Sequence, residues 1–373
     1  MRVLCLLAML APCLITPAQA DTTAVPKGWF LMPGTDIRMK FGGYIKLDAI
    51  HDFKPIGSPD FFNVTTIPVD GSTGSSTHYN VKETRLILDV RSEAPIGDVR
   101  GYLETDFYGT NGAFRIRRAF VDIDDHLMAG QEWTTFMDED IIPPTLDYEK
   151  PGAYAFLRIG LIRYHTNLAD NMMIAIGVEE PTASATGGDG RFSSSIPIVA
   201  ARARLHGAWG HLQLSGAVGT LDYHPTSGGS QTGTLAAGNL SGIVRLGGSD
   251  KVFFQVIGGP GVAHFRSATA GVVDDANTLH MIGGYGATVG MLHSWSTAFS
   301  STFVANYGED NIDQYTSDPL TDRVLYAAVN LLWNYANNSF CGIEYLYGER
   351  GVVGGARGTA SRLQASVRYA FNL

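Results

Sequence analysis

Along most of the chain, apolar and polar side chains alternate with a period of two, the pattern of strands whose successive residues face opposite sides of a sheet. The C-terminus shows it most clearly. Ala365, Val367, Tyr369, Phe371 and Leu373 form one face, and Arg362, Gln364, Ser366 and Arg368 the other. Near the N-terminus Ile37, Met39, Phe41, Ile45 and Leu47 oppose Arg38, Lys40, Lys46 and Asp48. Val99, Leu103 and Phe107 oppose Arg100, Tyr102, Glu104 and Asp106, while Val199, Ala201, Ala203 and Leu205 oppose Arg202 and Arg204. Any half-buried sheet alternates in this way, so periodicity alone does not separate a soluble β protein from a barrel in lipid.

Connection lengths separate them. The strand pattern breaks at long linkers near 53–76, 137–153, 180–195, 223–235, 259–279, 309–322 and 350–358, with a shorter one near 109–113. Between them fall brief turns such as Pro95-Ile96-Gly97, Asp124-Asp125, Ala169-Asp170, His293-Ser294 and Asn337-Asn338. Strict alternation of long and short connections is the habit of transmembrane barrels, with short turns on the periplasmic side and long loops outside. At roughly 22 residues per strand and connection, the chain accommodates about sixteen strands. The expected fold is therefore all-β: a transmembrane antiparallel β-barrel, porin-like, over residues 36–373. Trp209, Trp295 and Trp333 fall beside short turns, where a girdle of amphipathic rings meets the headgroups.

Residues 1–20 read as a secretory signal peptide: Arg2, an apolar stretch from Val3 to about Leu14, then Ala18-Gln19-Ala20 at the cleavage site. Residues 21–35 follow as a short periplasmic segment. The leader carries Cys5 and Cys13 away and leaves Cys341 alone, so no intrachain disulfide is expected. Charged residues are 17% of the chain against about 25% in soluble domains. Even so, no apolar run approaches the ~20 residues of a membrane helix. An exported chain of this kind is neither a cytoplasmic enzyme nor a helical membrane protein.

If the apolar face meets lipid, the polar face lines a lumen. Twenty of the 27 basic residues are arginine, whose rigid donor fork matches carboxylates. The candidate pore-lining, solute-binding set is Arg38, Lys40, Arg85, Arg100, Arg163, Arg202, Arg204 and Arg362, a ring that favours anions. Acids of strands two to four should brace part of the wall, leaving basic charge to prevail opposite them. Around Arg115-Ile116-Arg117-Arg118 either register points an arginine outward unless the strand bulges. The linker 137–152 is the candidate constriction. Its prolines Pro143 and Pro144 stiffen it, Ile141, Ile142 and Leu146 call for an apolar partner, and Asp138, Glu139, Asp140 and Asp147 would face the wall arginines.

No G-x-S-x-G, H-E-x-x-H, C-x-x-C or P-loop occurs, so no catalytic residue, cofactor, metal or nucleic acid is expected. The alternatives to a channel are a barrel enzyme with a site assembled from distant strands, or a structural or adhesive barrel without transport.

Several motifs stand out: Gly43-Tyr44-Ile45-Lys46-Leu47-Asp48-Ala49, Glu104-Thr105-Asp106-Phe107, Phe114-Arg115-Ile116-Arg117, and above all Ala129-Gly130-Gln131-Glu132-Trp133-Thr134-Thr135-Phe136-Met137-Asp138. Pro144-Thr145-Leu146-Asp147, Ile162-Arg163-Tyr164 and Glu344-Tyr345-Leu346-Tyr347-Gly348 extend the set, which spans about residue 41 to the C-terminus. Together they resemble the DcaP-like family of outer-membrane porins. Arg118 and Phe120 stand where the family usually has His and Tyr, and the chain ends in Leu373 rather than phenylalanine. The resemblance implies a homotrimer of sixteen-stranded barrels among outer-membrane lipid and lipopolysaccharide. It also implies passive, anion-preferring uptake of small dicarboxylates and aromatic acids.

Overall fold

In a computed structural model, which describes residues 26–149 and 152–371, the chain forms a closed antiparallel barrel of sixteen strands. The leader proposed for residues 1–20 lies outside the described residues. The first strands are β1 (Arg38–Asp52), β2 (Arg85–Ala94), β3 (Gly97–Asp106), β4 (Arg115–Ile123) and β5 (Leu127–Trp133). Next come β6 (Arg158–Ala169), β7 (Met172–Glu179), β8 (Ile198–Gly207), β9 (Gly210–His224) and β10 (Gln231–Gly247). The wall continues with β11 (Asp250–Pro260), β12 (Gly283–Ser294), β13 (Phe299–Asp310), β14 (Thr321–Ala336), β15 (Ser339–Val352) and β16 (Arg357–Phe371). Each strand pairs with the next, and β16 closes on β1 from Gly43 opposite Phe371 to Asp52 opposite Arg362. Closure leaves no strand edge, the condition for a sheet to span hydrocarbon. Trp29–Leu31, from the segment before β1, folds back antiparallel onto Arg38–Lys40.

The outward face carries the apolar phase of the alternation. Ile45, Leu214, Val289 and Tyr369 are exposed in the isolated chain, as side chains that meet lipid must be, and Trp209, Trp295 and Trp333 stand out beside the short turns. Two long linkers are shorter than the sequence predicts. β9 and β10 stay paired out to Tyr223 opposite Gln231, and β15 runs to Val352, because neighbouring strands keep these ends in the ladder: Tyr223 also faces Phe192, and Gly351 faces Arg357. His293 and Ser294, expected in a turn, are still paired in β12, and the turn follows at Trp295.

The register problem at Arg115–Arg118 is resolved by a bulge. Glu104 lies opposite Arg118 and Thr105 opposite Ile116, so Arg117 is the extra residue. One inserted residue lets consecutive side chains share a face. Arg117 and Arg118 both reach inward acids, while Ile116 faces out.

Inside the wall lies a packed core contributed by three long connections. Phe62, Val64 and Ile67 from the first, Phe136, Met137, Ile141 and Tyr154 from the third, and Val262 and Phe265 from the sixth are buried against inward wall residues such as Tyr326, Leu346 and Phe253. The rings of Phe136 and Phe265 stack at 4.1 Å. Wall glycines make room for these segments. A Cβ on Gly308 would come within 2.3 Å of Ala153 Cβ, and one on Gly286 within 2.2 Å of Ala153 O.

The two faces predict opposite sensitivities. Val289→Arg, on the lipid face near the middle of β12, should lower the unfolding free energy in vesicles by about 2–4 kcal/mol. Equilibrium urea titration followed by tryptophan fluorescence would measure this, and an unchanged midpoint would remove Val289 from the lipid band.

Candidate functional site

The strand alternation that turns Ile45 and Leu47 outward turns Tyr44, Lys46 and Asp48 inward, and on these inward groups the connection from Thr134 to Leu157 is hung. Its backbone is held by side chains from around the wall. Asn239 donates to Phe136 O at 2.7 Å, Gln213 to Met137 O at 3.2 Å and Asn330 to Pro144 O at 2.9 Å. Glu344 accepts from Leu146 N and Asp147 N, both at 2.9 Å, and Lys46 and Gln364 donate to Leu146 O. Ala153 N donates to Asn306 and Ala155 N to Gln255. Backbone led away from any sheet must find partners, and the polar inner wall supplies them.

The acids of this connection serve as anchors. Asp138 is fully buried and accepts from Arg204 at 2.7 Å, His211 at 2.8 Å and Ser241 at 2.9 Å. Burial pushes its carboxyl up, but the His211 hydrogen bond and the Arg204 charge outweigh that and hold it below the usual carboxylate range. This anchor is therefore intact at neutral pH and is released only as pH falls through that depressed value. Asp140 also pairs with Arg204. Asp147 accepts from Phe62 N at 3.0 Å and from Arg362 at 3.4 Å. The expectation that these acids face wall arginines across open lumen is overturned for Asp138, Asp140 and Asp147, which are bonded directly to Arg204 or Arg362. Glu139, half-exposed like Asp140, lies 4.0 Å from Arg118.

The eight basic candidates separate by surroundings. Arg362 has no accessible surface, gripping Asp52 in a bidentate pair at 2.7 and 3.0 Å, and Arg163 is buried against Thr135 and Trp133 O. Neither can touch a passing solute in this conformation. Arg202 reaches Met137 O at 3.3 Å. Arg38 pairs with Glu93 at 3.4 Å, Arg100 with Asp89 at 2.9 Å, and Lys40 lies 5.8 Å over the Trp29 ring, all toward the short-turn end. Arg85 remains at mid-barrel, bonded to Glu104 at 3.1 Å.

Arg85 belongs to a cluster that the strand pattern leaves ambiguous or places elsewhere. A cavity of about 360 Å³ lies between the wall and the inward connection. Arg85, Arg117, Arg118, Arg368, Glu83 and Glu104 line it on one side, Glu139, Ile142, Pro143, Pro144 and Tyr148 on the other. Basic charge thus gathers on β2, β4 and β16, beside the acids of strands two to four rather than opposite them. The acids there are buried, and buried carboxylates require nearby cations. Tyr148 is the residue of this cluster that no pattern in the chain announces. Its hydroxyl accepts from Arg115 at 2.7 Å, Arg117 at 2.8 Å and Arg158 at 3.3 Å, so three guanidinium groups converge on one neutral oxygen.

A closed sixteen-stranded barrel with long connections packed inside and an arginine-lined cavity has the architecture of an outer-membrane channel. The family model for the DcaP outer membrane protein matches residues 23–371, and the chain belongs to that family. Among solved structures, the outer membrane channel DcaP of Acinetobacter baumannii superposes with a TM-score of 0.81 at 19% identity, covering 92% of this chain and 99% of that one. An anion-selective porin from Comamonas acidovorans gives 0.61 at 10% identity, covering 90% and 100%. OmpT of Vibrio cholerae gives 0.58 at 11% identity, covering 92% and 100%. No curated protein matches the chain.

The burial of Arg362 generates a prediction. Arg362→Gln strands the Asp52 carboxylate without its bidentate partner, which should lower the unfolding free energy by about 3–5 kcal/mol. Because that side chain has no accessible surface, ion preference in planar bilayers should stay unchanged. A large shift in ion preference without loss of stability would contradict this assignment.

Proposed function

We propose that this outer-membrane protein is a passive diffusion channel with a preference for small carboxylated anions, dicarboxylates and aromatic acids among them. The observation that carries the reading is the cavity itself, lined by Arg85, Arg117, Arg118 and Arg368 beside Tyr148. Arg85 and Arg118 each keep 23% of the side chain exposed, so their guanidinium groups are open to a carboxylate entering the cavity. The stretch 137–152 acts as the constriction, its prolines and Tyr148 facing the arginines and leaving a gap suited to a small planar acid. The apolar surfaces of Ile142 and Pro143 suit the ring of an aromatic acid, and the arginines its carboxylate.

The same reading takes residues 1–20 as the cleaved leader, and a homotrimer embedded among lipid and lipopolysaccharide as the working assembly. It draws support from two structural neighbours: the Comamonas acidovorans protein is an anion-selective porin, and OmpT of Vibrio cholerae has a trimer form.

Reversal potentials in a salt gradient across a planar bilayer test the proposal. The native channel should prefer chloride over potassium. The double variant Arg85→Gln, Arg118→Gln should move selectivity toward cations, each lost charge being worth about 1 kcal/mol, about fivefold in local anion concentration, at 4 Å in water. A cation preference in the native protein, or the same potential in both proteins, would overturn the reading.

A further inference from the structure

At the short-turn end of the barrel three side chains converge that the channel reading does not use. Asp122 near the end of β4, Asp125 in the turn that follows and His165 on β6 present donor atoms that all lie within 4.8 Å of one another. We propose that they form a site for one divalent transition-metal ion, with Zn²⁺ the best fit, at the periplasmic mouth of the lumen.

The Asp122 carboxylate carries the argument. Its side chain is only 8% exposed, and its Oδ2 atom has no hydrogen-bond partner among the described residues. That oxygen lies 3.7 Å from His165 Nε2. The separation is too long for a hydrogen bond. It is close to the edge of a zinc tetrahedron, about 3.4 Å for ligands held 2.0–2.1 Å from the metal.

The cations that would otherwise neutralise the site are committed elsewhere. Arg100 and Arg91 both turn to Asp89, at 2.9 and 3.1 Å, although Arg100 lies opposite Asp122 in the ladder. Arg38 goes to Glu93 at 3.4 Å, and Arg163, two residues before His165 on the same face, goes to Thr135 and Trp133 O. Asp124 is spent on the neighbouring turn, accepting from Asp98 N at 2.8 Å. Two carboxylates and one imidazole are left facing each other, with no lysine or arginine in ion-pair distance of either carboxylate among the described residues. One nitrogen and two oxygens with space for water suit a borderline ion better than Mg²⁺ or Ca²⁺, which prefer oxygen alone.

The backbone fixes the strand position that carries the imidazole. His165 N donates to His126 O at 2.9 Å, and His126 Nδ1 lies 3.0 Å from His165 O, locking the β4–β5 turn against β6. A bound ion would staple the same turn to the same strand through side chains. The other acid–histidine cluster, Asp138, Asp140 and His211, is different because Arg204 and Ser241 already occupy its carboxylates.

The full barrel in detergent, without a histidine tag and stripped by chelator, would be titrated with ZnCl₂ by calorimetry. One Zn²⁺ per chain is expected, with Mg²⁺ and Ca²⁺ at least about tenfold weaker. Asp122→Asn and His165→Gln should each weaken Zn²⁺ by about tenfold or more, and His211→Gln should leave it as it was. Should Asp122→Asn fail to fold, Asp125→Asn, in an exposed turn, carries the test. Absence of a saturable site, Zn²⁺ binding that survives these changes, or loss in His211→Gln instead would overturn the proposal. None of these readouts depends on transport, so the channel reading stands or falls separately.

Discussion

The peptide group cannot be left unpaired in hydrocarbon, and the rest of this molecule follows from that constraint. A sheet satisfies it only by closing on itself, so β16 must return to β1, and every strand must present one face to lipid and the other to the interior. Strand geometry then supplies the two-residue period, and the surrounding lipid requires that the outward set be apolar. It also inverts the usual location of polar residues, because the inner surface is where charge can be hydrated or paired.

That inversion explains how the interior is built. A polar inner wall offers Asn239, Gln213, Asn330, Gln364 and Glu344 as partners, and the connection between β5 and β6 uses them in place of a strand neighbour. Its apolar side chains pack against wall positions kept small or apolar, and glycines at 286 and 308 admit Ala153. The buried ion pair of Arg204 with Asp138 fixes where the segment lies. Arg85 and Arg118 line the remaining cavity with part of each side chain still exposed. Wall bracing and cavity lining therefore draw on the same residue type, and burial separates arginines such as Arg362 from those such as Arg85.

The strand count, the antiparallel closure and the lipid face are legible in the chain because they depend on local alternation and on connection length. The packed segment 134–157 is half legible: two prolines and Ile141, Ile142 and Leu146 announce a stiff stretch in need of a partner, without saying which wall it meets. Charge pairing is not legible. Nothing in the order of residues says that Arg204 reaches back to Asp138 or that Arg362 closes on Asp52, since those partners are brought together only by the barrel. Arg117 and Arg118 are hidden by a single inserted residue, and Tyr148 by lying in a connection whose path depends on the finished wall. By length alone the first and sixth connections look external, although Phe62 and Phe265 are buried in the core.

In the proposed channel the connection between β5 and β6 sets the width of the passage and faces solutes together with the arginines of β2 and β4. Single-channel conductance of a protein lacking residues 140–147, checked for heat-modifiable migration so that only folded barrels are compared, tests it most directly. Larger unitary conductance and weaker discrimination between small and bulky carboxylic acids are expected. Unchanged conductance with an unchanged size cutoff in a folded variant would contradict it.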